Sequence, residues 1–165
     1  EEVRDTDEGE GPGDWWHQMC SDCKVSGSES DMRPVGTVKD VTLENGTHRR
    51  YISVDGGMSD NIRPSLYGAE YTTILANRTS TAAKTSSRLV GKHCETGDII
   101  IREIDLPEDI VPGDLLAVPA TGAYGRSMAS NYNHVPRPSV VAVKDGKARV
   151  IVRRESIEDL LALDI

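Results

Sequence analysis

Three polar clusters interrupt an otherwise apolar, strand-like sequence, and their residue types could carry chemistry. The first is Val54-Asp-Gly-Gly-Met-Ser-Asp-Asn-Ile-Arg-Pro-Ser-Leu-Tyr-Gly-Ala69, in which a glycine pair precedes Asp60, Asn61, Arg63 and Tyr67. The glycines let the backbone adopt φ > 0 or approach another group closely. The polar residues exceed what a connector between two strands requires, although a rigid Asx/Gly turn explains them equally well. The second cluster is Gly91-Lys-His-Cys-Glu-Thr-Gly-Asp98. Its Cys94 thiol can act as acid or nucleophile only if it is exposed and tuned from a free pKa of about 8.5; the alternative is a half-buried structural cysteine. The third is Ala120-Thr-Gly-Ala-Tyr-Gly-Arg-Ser-Met128. There Tyr124 is either a site group or a core ring with a hydrogen-bonded hydroxyl. His93 reads as a hydrogen-bonded structural histidine and Arg126 as a solvated side chain. Cys20-Ser-Asp-Cys23, with His17 nearby, has the residue types of a zinc or redox site. No second Cys or His pair stands at ligand spacing, so unstructured thiols are the simpler reading.

These clusters must be positioned by strands. Val35–Leu43 and Arg49–Asp55 flank an Asn45-Gly46 turn, a strong hairpin signal, and the apolar positions of the second strand suggest burial on both faces. Tyr71–Ala76, Thr85–Gly91 and Leu115–Pro119 read as further strands, and Asp98–Ile104 as a short one buried on both faces. Leu106–Asp114 reads as a turn system. Ser139–Lys144 and Ala148–Arg153 form a hairpin about Asp145-Gly146. A short helix is expected in Gly122–Asn133, and a final one over Ile157–Leu163, started by Ser156 and docked through Leu160, Leu161 and Leu163. The pattern predicts an all-β fold, a Greek-key-like barrel or sandwich with one or two short helices.

Charge divides the chain. Residues 1–33 carry ten acids against three bases, whereas the other 132 residues hold seventeen acids and sixteen bases. The first segment is expected to be a low-order acidic arm, and the second, 34–165, a folded domain. A nearly neutral domain offers no basic face to nucleic acid. No apolar run approaches the about 20 residues of a membrane span, and no signal peptide is recognisable. Three cysteines do not make a disulfide framework, which points to the cytoplasm.

Val54–Gly68, Gly91-Lys-His-Cys-Glu-Thr-Gly-Asp-Ile-Ile100 and Ala120-Thr-Gly-Ala-Tyr124 resemble, in order and spacing, the C-terminal β domain of diaminopimelate decarboxylases. So do Tyr132-Asn133, Arg137-Pro138 and Arg153–Leu160, and the likeness runs from about Val35 to the last residue. These are alanine-racemase-like, fold-type III decarboxylases dependent on pyridoxal 5'-phosphate, which pair a (β/α)8 barrel with a β domain. The resemblance implies conversion of meso-2,6-diaminopimelate to L-lysine and CO2, the last step of lysine synthesis. It implies that Arg63 and Tyr67 grip the distal carboxylate, a role suited to the arginine fork, and that Glu95 faces the distal ammonium. Cys94 corresponds to the proton donor, and Tyr124 to a residue touching both substrate and cofactor. A homodimer sharing its site across the interface is also implied.

The chain departs from the family where the cofactor is held. None of the lysines at 24, 39, 84, 92, 144 and 147 matches the one that carries pyridoxal phosphate. The glycine-rich phosphate loop of the barrel is missing, and Cys20–Arg33 stands where the family has a Glu-Pro-Gly-Arg stretch. A C-terminal piece of a decarboxylase, inactive alone, is therefore expected. Two other functions compete with it: a non-catalytic dimerising or regulatory β module, and a zinc adaptor built on Cys20 and Cys23.

Overall fold

The computed structural model describes residues 30–165, with the side chains of all but Ser30, Asp31, Ala123 and Tyr124. Residues 1–29 of the arm, with Trp15-Trp16, Cys20 and Cys23, lie outside the described residues, whereas residues 30–33, also expected to be arm, begin the first strand.

Strand β1 (Ser30–Thr42) organises the sheet because it serves two neighbours in turn. Its first half pairs antiparallel with β6 (Leu115–Pro119), Ser30 opposite Pro119 and Pro34 opposite Leu115. Its second half pairs antiparallel with β2 (His48–Val54), Val35 opposite Val54 and Thr42 opposite His48. The changeover is a bulge at Gly36, where the Thr37 amide donates to Ser53 Oγ at 2.9 Å; such bulges bend a strand and redirect pairing. β3 (Ile74–Leu75), β4 (Lys84–Val90) and β5 (Ile99–Pro107) complete a six-stranded sheet in the order β3-β6-β1-β2-β4-β5. The sheet curls into a nearly closed barrel, as the all-β expectation requires. Among the described strand pairs, only β2 and β4 run parallel.

The core lies inside this curl. Val35, Ile52, Val54, Leu89, Ile100, Ile101, Leu106, Ile110, Leu116 and Val118 form one buried cluster without an aromatic ring, each contributing roughly 1.5–3 kcal/mol by leaving water. Behind it, buried Asp114 accepts bonds from Arg78 Nη2 at 2.7 Å and the Val111 amide at 3.0 Å. These bonds hold its pKa down at about 2.

Several expectations are corrected here. β2 buries Ile52 and Val54 but only half-buries the intervening positions, so one face carries the core. β5 runs on to Pro107 and exposes Arg102 and Glu103; the supposed turn system therefore begins later. Tyr71–Ala76 shrinks to the two residues of β3. Arg63–Tyr67 forms a helix, α1, where a loop was expected. Gly122–Asn133 divides into α2 (Gly122–Met128) and a 3-10 turn, Tyr132–His134. The final helix, α3, is the single turn Ile157–Leu160. It has the expected start, with Ser156 Oγ accepting the Asp159 amide, but Leu163 is 93% exposed and does not dock. β7 (Val140–Lys144) and β8 (Lys147–Val152) make the second hairpin, with Asp145 at φ 51° and Gly146 at φ 68°, the left-handed pair of a tight primed turn.

Candidate functional site

The first two polar clusters are joined by one buried carboxylate. Asp98 Oδ1 accepts the Met58 amide at 2.7 Å, and Oδ2 accepts the His93 amide at 2.8 Å. A Cβ on Gly91 would lie 2.1 Å from Asp98 Oδ2, and one on Gly57 2.6 Å away. The bonds exist only because both loops lack side chains at those points. Further links reinforce the junction: the Lys92 amide donates to the Gly56 carbonyl at 2.8 Å, and Lys92 Nζ pairs with Asp55 at 2.8 Å. The lysine holds the Asp55 carboxyl below its usual pKa. His93 is the structural histidine expected, buried, with Nε2 at 2.8 Å from Ser59 Oγ.

A buried ion pair fixes the same loop from below: Arg33 Nη2 meets Asp60 Oδ2 at 3.0 Å, with 8% and 7% of the side chains exposed. Removing one partner of such a pair strands a charge, a cost of about 3–5 kcal/mol. Arg33, grouped with the arm by charge, thus belongs to the domain's core.

The side chains singled out in the sequence are displayed on this platform. Asn61 Oδ1 accepts the Arg63 amide at 3.3 Å, and α1 ends at Gly68 with φ 66°. Arg63 and Tyr67, four residues apart, share a helix face. Arg63 is half-buried and donates from Nη1 to Tyr71 Oη at 3.3 Å, while Tyr67 is 65% exposed. The helix abuts the second loop, since a Cβ on Gly97 would lie 3.2 Å from Ser65 Oγ. At that loop's crest Cys94 and Glu95 are both exposed. The half-buried thiol considered from residue statistics is thereby corrected.

A third segment closes the arrangement, but it is not the expected one. The Ser130 amide donates to the Ser59 carbonyl at 2.9 Å. Tyr132 Oη then donates to Glu95 Oε1 at 2.8 Å, and its ring meets His93 edge-on at 5.5 Å. The carboxylate raises the Tyr132 pKa, keeping the hydroxyl a donor. The Tyr124 side chain lies outside the described residues. Arg126 is half-buried rather than solvated, and its Nη1 is buried without a hydrogen-bond partner among the described residues. Asp98, Ser59 and the Tyr132–Glu95 bond escaped sequence reasoning; the Gly91…Asp98 spacing held a signal for the first, because glycines facing a loop carboxylate mark close backbone approach.

Residues 33–122 match the family described as pyridoxal-dependent decarboxylase, C-terminal sheet domain. The chain belongs to this family. Among family relatives, diaminopimelate decarboxylase of Mycobacterium tuberculosis is 60% identical over 131 residues, 79% of this chain and 29% of that protein. The Bacillus subtilis enzyme of the same name is 55% identical over 117 residues, 71% and 26% of the respective chains. The crystal structure of diaminopimelate decarboxylase from Helicobacter pylori complexed with L-lysine superposes with a TM-score of 0.70 at 37% identity, covering 82% of this chain and 31% of that one. The chain therefore spans under a third of the length of these relatives.

The family's cofactor needs a lysine able to bond it covalently and donors for its phosphate. Lys92, the lysine of this site, is committed to Asp55. The remaining described lysines lie on β1, β4, β7 and β8. The described residues thus do not by themselves fit pyridoxal phosphate. No group of three or more metal-ligating side chains occurs among the described residues, and no described helix is long and apolar enough to cross a membrane.

Proposed function

We propose that this domain is the substrate-reading wall of a cytoplasmic diaminopimelate decarboxylase, which converts meso-2,6-diaminopimelate to L-lysine and CO2 when a pyridoxal-phosphate-bearing barrel completes the site. The observation that carries the reading is the convergence of an arginine–tyrosine helix with an exposed Cys94-Glu95 crest on one rigid platform. Arg63 and Tyr67 bind the distal carboxylate, the guanidinium supplying paired donors. Glu95 takes the distal ammonium. Together they favour a substrate charged at both far groups over ornithine or arginine. Cys94 Sγ–H is the acid that returns a proton to the carbon vacated by CO2. Tyr124 contacts substrate and cofactor. Pyridoxal phosphate, when bound, draws off the electrons left by decarboxylation. The active form is a homodimer in which the Cys94-Glu95 crest reaches the partner's barrel.

The test is a hybrid enzyme: residues 33–165 spliced onto the preceding part of the M. tuberculosis relative, supplied with pyridoxal phosphate and assayed for CO2 release from meso-diaminopimelate. The hybrid is expected to release CO2 and the chain alone to release none. A folded, cofactor-loaded hybrid without activity would contradict the reading and favour a non-catalytic module.

A further inference from the structure

We propose that Tyr132 is a positioning residue for Glu95, and that this hydroxyl sets the preference for a substrate with an ammonium at its far end. The assignment rests on the reading of the site just given and adds a residue to it. Glu95 stands exposed on a loop crest, where a glutamate side chain ordinarily samples several rotamers. The bond from Tyr132 Oη to Glu95 Oε1, 2.8 Å, selects one of them. Oε2 has no hydrogen-bond partner among the described residues, which leaves an oxygen for a cation. A carboxylate fixed before the ligand arrives binds it without losing that freedom again.

Tyr132 can act as an anchor because it is itself immobilised. Its ring lies edge-on to His93 with the planes at 76°. His93 is held in turn by Ser59 through its ring and by Asp98 through its amide. On either side, the chain is clamped by Glu155. One carboxylate oxygen accepts Asn131 Nδ2 at 2.6 Å and the Arg137 amide at 2.8 Å; the other accepts Arg137 Nε at 2.6 Å. Between these ties, Asn133 and His134 both take positive φ, 54° and 55°. Consecutive non-glycine residues there are costly and persist only where the surroundings over-determine them. The strained turn presents the Tyr132 hydroxyl to a residue 37 positions earlier in the chain.

The experiment uses the same hybrid enzyme with Tyr132→Phe, which keeps the ring on His93 and removes only the donor. Two ligands are compared: meso-diaminopimelate as substrate, and 2-aminopimelate, which keeps both carboxylates but lacks the far ammonium, as competitive inhibitor. Loss of one charge-assisted bond predicts a rise of about tenfold in KM for meso-diaminopimelate, with kcat within about twofold and the Ki of 2-aminopimelate unchanged. In a Glu95→Gln background, Tyr132→Phe should add nothing further, since the two groups act as one unit. Equal weakening of both ligands, an unchanged KM, or full additivity with Glu95→Gln would overturn the assignment. A hybrid with the native residue at 132 that is active while Tyr132→Phe is indifferent refutes this inference alone; an inactive hybrid refutes the reading beneath it as well.

Discussion

Two regions of this domain are built on opposite terms. Around the site, loops 55–62 and 91–98 are fastened by backbone amides to the buried Asp98 carboxylate and by the buried Arg33–Asp60 pair. In the C-terminal hairpin, β7 and β8 pair only with each other among the described strands, and Val141, Val150, Ile151, Leu161 and Leu163 stand exposed. An isolated two-stranded hairpin is marginal in water, and this one is moored chiefly by the Glu155 clamp on Asn131 and Arg137. Rigidity is thus placed beneath the polar side chains of the two loops, and not under the tail.

The contrast can be broken most severely at Asp98. Asp98→Ala leaves the half-buried Met58 amide and the buried His93 amide without acceptors, an expected loss of about 3 kcal/mol in urea unfolding. An effect under a third of that would show that the loops hold their shape without the carboxylate.

The tail is expected to answer to Glu155. Glu155→Gln should loosen the hairpin by about 1–2 kcal/mol, read as faster amide exchange in β7 and β8 with the core strands unchanged. Arg137 and its hydrogen bonds hold the Glu155 pKa at about 2, below the ordinary glutamate value near 4.3. With the folded-state value depressed, the unfolded chain takes up the proton first. The stabilisation is therefore complete above the unfolded value and drains away as pH falls toward 2. Tail protection, taken relative to the intrinsic exchange rate at each pH, should fall over that interval in the native chain, and Glu155→Gln should flatten the dependence. The smallest effect belongs to the hairpin's outer face. Val150 is 59% exposed, so Val150→Thr should change stability by no more than about 0.5 kcal/mol in the same assay.

The same division explains what could be read in advance. Hairpins turn on neighbouring residues, so Asn45-Gly46 and Asp145-Gly146 disclosed both, and Ser156 disclosed the start of α3. Helix α1 was hidden because five residues including Pro64 are too few to show a helical period. The length of the last helix was misjudged because Leu163 satisfies the pattern but meets no surface that would hold it. The polar clusters were visible as residue types, and Arg63, Tyr67, Cys94 and Glu95 do share one platform. The bonds that make the platform were not visible. Arg33 to Asp60, Met58 to Asp98 and Tyr132 to Glu95 join residues far apart in sequence, and no local pattern announces a partner at that range. Arg33 in particular sat in an acidic stretch whose composition suggested only solvent.

The central claim is that the exposed crest of the second loop delivers chemistry and does not merely decorate a stable fold. Its most direct test is Cys94→Ala in the hybrid enzyme, with CO2 release from meso-diaminopimelate followed beside thermal unfolding. Loss of a positioned general acid predicts a fall in kcat of about a hundredfold or more, with the unfolding temperature unchanged because the thiol is exposed. A Cys94→Ala enzyme that turns over at the native rate would contradict the account.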